Sequence, residues 1–256
     1  MLTLTLLGTA DAAGIPVHGC DAPACAEARR YPWLRRLQSC VLVKSAQAHI
    51  LLDMGNEAHM QRLYDVPLDA VFVTHLHIDH VAGLIALRWT RQPGGIPVYY
   101  PEGSSGDGES VLGISGGLRF QSMQRFEQVT VKDVTVAAVP LRHGDTIAHG
   151  YAVASSGASA ALLTDTCGLP EETFAWLAAH RPDVAMVDSC YEPGHPDEGH
   201  NNVDTAIDTI KRLGVRQGVL THIAPHNWPY FDLVPYVRER DGGRTVVSYD
   251  GMTITL

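Results

Sequence analysis

The sequence has no apolar run approaching the ~20 residues that a bilayer-spanning helix needs, and it has no cluster of Lys and Arg. It also lacks low-complexity tracts, tandem repeats and a heptad pattern. The first absence argues against a membrane partner. The second, with a formal net charge of -9, argues against a broad nucleic-acid footprint. A small anionic substrate is still compatible with this charge, because a bound cation reverses the local field. Cysteine is sparse and odd in number: Cys20, Cys25, Cys40, Cys167 and Cys190 are scattered through the chain, which does not suit a disulfide framework. Met1 to Ala10 contains no Lys or Arg and alternates Leu with Thr, the pattern of a first strand and not of a signal peptide. The expected compartment is the cytoplasm.

What is present is an ordinary globular composition: 256 residues, 45% hydrophobic and 18% charged, with a mean hydropathy of -0.02. This length suits a single domain over 1–256. Alternating or short apolar runs predict strands at Leu2–Leu7, Cys40–Lys44, His49–Asp53, Asp69–Thr74 and Ile96–Tyr100 in the first half. A second set is predicted at Phe126–Val131, Val134–Pro140, Gly150–Ala154, Ala160–Thr164, Val184–Asp188, Gln217–Thr221, Thr245–Tyr249 and Met252–Leu256. Helices fit Glu57–Leu63, Val81–Thr90, Glu171–His180 and Val203–Leu213, and residues 102–118, rich in Gly and Ser, read as a loop or insertion. Strands lead each half, so the expected class is α/β, with two sheets covered by helices in an αββα sandwich.

The unusual feature is histidine, with 13 in the chain. Imidazole is the commonest metal ligand and a frequent acid–base group. The densest segment is Thr74-His75-Leu76-His77-Ile78-Asp79-His80, where a predicted strand gives way to a predicted helix. Alternate side chains of an extended stretch share a face, so His75 and His77 can converge on one cation. Asp79 and His80 enter the helix in a different direction and are candidates for a second. Imidazole and carboxylate suit Zn²⁺, Mn²⁺ or Fe²⁺. The plainer alternative is that Asp79 caps the helix and the histidines pack.

This segment resembles the T-H-x-H-x-D-H signature of the metallo-β-lactamase fold hydrolases. The resemblance implies a four-layer αββα sandwich with a dinuclear metal centre at one edge. It further implies His143 as the third histidine of the first metal, Asp165 as a bridging carboxylate, and His222 as the last ligand of the second. Asp53 matches a position that supports the histidine loop by hydrogen bonding.

Within that superfamily the sequence resembles the phosphoribosyl 1,2-cyclic phosphate phosphodiesterases, the PhnP family of the carbon–phosphorus lyase pathway, nearly end to end. The carrying segments include Gly14-Ile15-Pro16 on to Ala28-Arg29-Arg30, Leu87-Arg88-Trp89, Thr164-Asp165-Thr166, Leu220-Thr221-His222-Ile223 and Asp250-Gly251-Met252. The resemblance implies hydrolysis of 5-phosphoribosyl 1,2-cyclic phosphate to ribose 1,5-bisphosphate by a hydroxide shared between two Zn or Mn ions. His200 or Asp79 would serve as proton donor to the leaving oxygen. It also suggests a homodimer and connects the protein to phosphonate metabolism. Arg88 and Arg142 are candidates for holding the 5-phosphate.

One departure concerns a structural zinc that such proteins hold through three cysteines and a histidine. Cys20 and Cys25 match two of the cysteines, Ala22 replaces the middle one, and a histidine appears one residue late as His226. His18 is the candidate to complete a set of His18, Cys20, Cys25 and His226, a third metal; the alternative is loss of that zinc. Two other functions share the main ligand set: a hydrolase of another phosphodiester, a lactone or a thioester, and a non-catalytic metal-binding pathway protein.

Overall fold

The structure is a computed structural model, described here for residues 1–104, 113, 116–196 and 199–256. The central part of the predicted 102–118 loop lies outside the described residues.

Two seven-stranded sheets face one another. The first contains β1 (Thr3–Gly8), β2 (Cys40–Lys44), β3 (His49–Leu52), β4 (Ala70–Phe72), β5 (Ile96–Pro101) and β6 (Leu118–Met123), with β14 (Thr253–Thr255) at the edge beside β1. The second runs from β7 (Gln128–Val131) through β8 (Val134–Pro140), β9 (His149–Ser155), β10 (Ala158–Leu163), β11 (Val184–Asp188) and β12 (Gln217–Thr221) to β13 (Thr245–Val247). Each sheet is part antiparallel and part parallel. Strands β3 to β6 run parallel, as do β10 to β13. The parallel strands end at the same edge of the sandwich, where the histidine loop emerges after β4.

Strand alternation explains the layers. Leu2, Leu4 and Leu6 point inward with Val41, Val43, Ile50, Leu52 and Phe72, against Val134, Val136, Tyr151, Val153, Leu162, Met186 and Val219 of the other sheet. The intervening residues face outward and are covered by helices. Fully burying one such Leu or Val contributes roughly 1.5–3 kcal/mol. Tyr151 fastens the two sheets near the histidine loop: its ring meets Phe72 edge-on and its hydroxyl donates to the Val73 carbonyl at 2.8 Å.

The outer helices of the second sheet are α4 (Glu171–His180), α5 (Val203–Leu213) and α6 (Tyr230–Asp241). Helix α5 follows directly from its sequence. Asn202 caps it by accepting from the Thr205 amide, Val203, Ala206, Ile207, Ile210 and Leu213 form the buried face, and Gly214 ends it with φ 65°. Among the described residues, two α-helices escaped the sequence reading. Helix α6 carries Pro229 at its start and Pro235 inside it, and α1 (Pro23–Arg30) is short and mostly polar.

The helix expected at Val81–Thr90 is instead two single turns, α2 (Ile78–Val81) and α3 (Leu84–Leu87), and the first begins inside the histidine motif. The break is a docking contact. The Gly83 amide donates to the Met54 carbonyl, and the Met54 amide donates to that of His80. A Cβ on Gly83 would stand 2.7 Å from the Asn56 and Met54 carbonyl oxygens. The segment expected as a helix at Glu57–Leu63 is a 3₁₀ helix over Glu57–Arg62.

Candidate metal centre

Seven side chains singled out by sequence meet at the shared strand edge. His75, His77, His143 and Asp165 bring one ligand atom each to within 4.8 Å of one another, and so do Asp79, His80, Asp165 and His222. Asp165 belongs to both groups, one oxygen to each. Its Oδ2 faces His75 Nε2 at 3.6 Å and His143 Nε2 at 3.9 Å. Its Oδ1 faces His222 Nε2 at 3.1 Å and His80 Nε2 at 3.3 Å. Asp79 Oδ2 closes the second group, 3.2 Å from His80 Nε2 and 3.6 Å from His222 Nε2.

Five of the seven follow strand ends, and Asp79 and His80 lie in the single turn of α2. Residues 73–77 leave β4, His143 follows β8, Asp165 follows β10, and His222 follows β12. His222 and Asp53 adopt φ of 58° and 59°. A non-glycine residue in this left-handed region carries a cost of ~1 kcal/mol or more and needs its surroundings to hold it. At Asp53 those surroundings are visible. Its buried carboxylate accepts from the Thr74 amide at 2.8 Å and from Thr74 Oγ1, and His80 Nδ1 donates to it at 2.7 Å. With Nδ1–H committed to Asp53, His80 turns Nε2 toward Asp165. His143 is oriented in the same way, with Nδ1 donating to the Gly199 carbonyl at 3.2 Å.

The donor set fits a pair of divalent cations. Buried His75 Nε2, His80 Nε2 and His222 Nε2 have no hydrogen-bond partner, although each points at the cluster. An unpartnered buried polar nitrogen is costly unless something occupies the space in front of it. Charge points the same way. Asp53, Asp79, Asp165 and Asp188 are all buried, and among the described residues their ion pairs are made by histidines, with no Lys or Arg. Burial opposes a charge on His80 and His222. Even so, the neighbouring carboxylates, Asp165 foremost, hold both imidazoles well above their ordinary pKa. For His75 burial wins, and its pKa lies well below the ordinary value. The cluster therefore demands positive charge, and cations would supply it.

Two neighbouring residues were not picked out as site residues from the sequence, Asp188 and Cys190. Asp188, at the end of β11, accepts from His200 Nδ1 at 2.7 Å and from the Thr166 amide at 2.9 Å with Oδ2. Its Oδ1 accepts from the Cys190 amide and lies 4.0 Å from His222 Nδ1. The Cys190 sulfur falls within 4.8 Å of ligand nitrogens on His200 and His222. The His200 ring stacks on His222, with centroids 5.1 Å apart, and sits edge-on to His143. The sequence marked Asp188 only as the end of an apolar strand; the parallel pairing of β11 with β10 and β12 is what sets it beside the strand ends that deliver Asp165 and His222.

A cavity of about 360 Å³ opens beside His77, bounded by Leu76, Gly103, Ser104, Asp145, Thr146 and Ile147. The two arginines proposed for a phosphate part company. Arg142 is exposed and immediately precedes His143. Arg88 ends α3 and lines a separate hollow with Trp89, Arg91 and Gly117. The expected third metal set does not assemble. Cys20 precedes α1 and Cys25 lies in its first turn, His18 is exposed, and the exposed His226 packs against Tyr191, 5.3 Å between ring centroids. Among the described residues, no group of three ligand atoms within 4.8 Å includes any of the four. The shift from position 225 to His226 and the loss of the middle cysteine at Ala22 leave the two thiols without convergent partners.

Comparison with known proteins agrees with this geometry. The beta-lactamase superfamily domain matches residues 49–223. An octanoyltransferase from Porphyromonas gingivalis is 28% identical over 236 residues, covering 86% of this chain and 46% of that protein. The chain thus spans about half of that protein's length. A ribonuclease Z from Bradyrhizobium diazoefficiens is 28% identical over 205 residues, covering 72% of this chain and 61% of the enzyme. Among solved structures, a diphosphatase of the PhnP family superposes with a TM-score of 0.84 at 26% identity, over 100% of this chain and 98% of that one. With the domain match spanning most of its length and the histidine motif at the sheet edge, this chain belongs to the beta-lactamase superfamily and has the metallo-β-lactamase fold.

Proposed function

We propose that the chain is a metal-dependent phosphodiesterase acting on a small cyclic phosphodiester, with 5-phosphoribosyl 1,2-cyclic phosphate as the substrate and ribose 1,5-bisphosphate as the product. The observation that carries the reading is Asp165, whose two carboxylate oxygens are turned to two different histidine groups. His75, His77, His143 and Asp165 would hold one cation, and Asp79, His80, Asp165 and His222 the other. A divalent pair supplies an acidified water and neutralises phosphate charge, which suits displacement at phosphorus.

The protein's own contributions are orientation and proton supply. Asp53 and Thr74 fix the imidazoles of His75 and His80 from behind. His200 stands over the cluster with Nδ1–H held by Asp188, leaving Nε2 as the atom that can hand a proton to a leaving ribose oxygen. Burial disfavours the charged imidazole, but the Asp188 hydrogen bond outweighs it and raises the His200 pKa. Asp79 is the weaker donor. Burial would hold its proton on, yet the His222 and His80 imidazoles facing it drive its pKa far below the carboxylate range. The relation to a PhnP-family diphosphatase and to ribonuclease Z supports phosphorus–oxygen chemistry.

The test is turnover of the cyclic phosphoribose by protein reconstituted with Zn or Mn, run beside bis-p-nitrophenyl phosphate, a lactone and a thioester. Preference for the cyclic phosphate supports the reading; activity on the lactone or thioester alone rejects it. A second arm isolates His200. In His200→Ala, hydrolysis of the poor alkoxide leaving group should fall ~10²–10⁴-fold, whereas p-nitrophenolate, which needs no proton, should be released almost as fast as by the wild type. Equal losses on both substrates contradict the proton-donor role.

A further inference from the structure

Among the imidazoles of the metal centre, His77 stands the other way round. His75, His80, His143 and His222 each bring Nε2 toward the shared Asp165. His77 instead turns Nδ1 inward, 3.3 Å from His143 Nε2, and Nε2 outward, 3.3 Å from Thr146 Oγ1. It is also the exposed member of the set. It stands at the N-terminal boundary of α2, and its side chain makes no capping hydrogen bond. Burial therefore does little to hold its ring. A half-turn about Cβ–Cγ would put a ring carbon where Nδ1 now stands and remove a ligand atom.

A single tight turn addresses both nitrogens. His143 and Thr146 face one another across residues 143–146, with the Thr146 amide donating to the His143 carbonyl at 2.9 Å and Gly144 at φ +52°. The first residue of the turn sets its imidazole against His77 Nδ1, and the last sets its hydroxyl against Nε2.

We propose that Thr146 is a positioning residue for His77, selecting the ring orientation that offers Nδ1 to a divalent cation. With the Nδ1 lone pair given to a cation, the ring proton sits on Nε2 and is donated to Thr146 Oγ1. In the half-turned ring a C–H would face that hydroxyl, and the hydrogen bond would be lost. The hydroxyl does for His77 what the Asp53 carboxylate does for His80 and the Gly199 carbonyl does for His143. The proposal rests on reading His75, His77, His143 and Asp165 as a cation site and does not depend on which substrate is hydrolysed.

The test is calorimetric titration of the chelated full-length protein with Zn²⁺, comparing wild type, Thr146→Val and Thr146→Ser. Valine keeps the β-branched shape and removes the hydroxyl, whereas serine keeps the hydroxyl. In Thr146→Val, one of two binding steps should weaken ~10–100-fold while the other keeps its wild-type affinity. Thr146→Ser should recover most of that loss. By NMR of the zinc-loaded protein, the His77 ring proton should sit on Nε2 and exchange with water faster in Thr146→Val. Unchanged affinities in Thr146→Val would overturn the proposal. So would equal weakening of both steps, a loss that serine does not restore, or His77 ligation through Nε2. A wild-type protein that takes up no Zn²⁺ would overturn the metal-centre reading itself, and this proposal with it.

Discussion

At the scale of single residues, Asp165 and Asp53 separate two kinds of contribution. Asp165 touches both histidine groups, so Asp165→Ala should lower the affinity for both cations and reduce turnover by at least ~10³-fold, to be checked by elemental analysis and kinetics on the same preparation. Asp53 touches none of the substrate space. It holds His80 and Thr74 from behind. Asp53→Asn should weaken binding at the second group by ~10–100-fold, measured by calorimetric titration of chelated protein, with a smaller loss of turnover at saturating metal. The candidate ligands His75, His77, Asp79 and His80 were legible because they crowd into one short segment, a density that packing alone does not require, whereas His143, Asp165 and His222 were found only through the resemblance. Asp188 was not legible. Nothing in Val184–Asp188 distinguishes an acid that ends a strand from one that orients His200, because that role arises from parallel pairing of strands distant in sequence. The same holds for the third metal set that the resemblance implied: only folding shows His18 exposed and His226 packed against Tyr191.

At the scale of elements, glycine placement and buried imidazoles carry the sharper predictions. Gly83 has an ordinary φ of -69°, so the obstacle to a side chain there is space, not conformation. Gly83→Ala should force the turn of α2 away from the Met54 and Asn56 carbonyls. The expected cost is ~1–3 kcal/mol, read as a lowered denaturant midpoint. His149 opens β9 with both ring nitrogens buried and unpartnered. Burial, assisted by the Arg125 charge, pushes its pKa down to about 4. The fold therefore keeps this imidazole neutral while the unfolded chain takes up a proton below pH ~6.5. Stability should fall as pH drops from ~6.5 toward 4 and level off below, a loss of about 3 kcal/mol from this residue. His149→Leu should flatten that limb by about one proton in urea melts across the range; an unchanged slope would contradict it. Helix α5 could be read from its apolar spacing and its Asn202 cap. Helix α6 could not, because prolines at 229 and 235 and a mixed face hide its period.

At the scale of the whole molecule, the two sheets bring together ligands from both halves of the chain. His75 to His80 come from the first sheet, and His143, Asp165 and His222 from the second. Cations bound between them would cross-link the sandwich, so chelation should lower its stability as well as its activity. At a free metal concentration 1,000 times the dissociation constant, each site contributes ~4 kcal/mol, visible as a lower melting temperature after chelator treatment. Alternation of apolar residues suggested two sheets with helices outside, and the resemblance to the metallo-β-lactamase fold supplied the topology. It could not foresee which strand ends meet, since that depends on strand order, which no local pattern encodes. The most direct test is anomalous diffraction from crystals of the native chain grown with Zn²⁺ or Mn²⁺. Two peaks ~3.5–4 Å apart are expected, one beside His75, His77 and His143 and the other beside Asp79, His80 and His222, with Asp165 between them. A single peak, or density that leaves Asp165 without contact to metal, would contradict it.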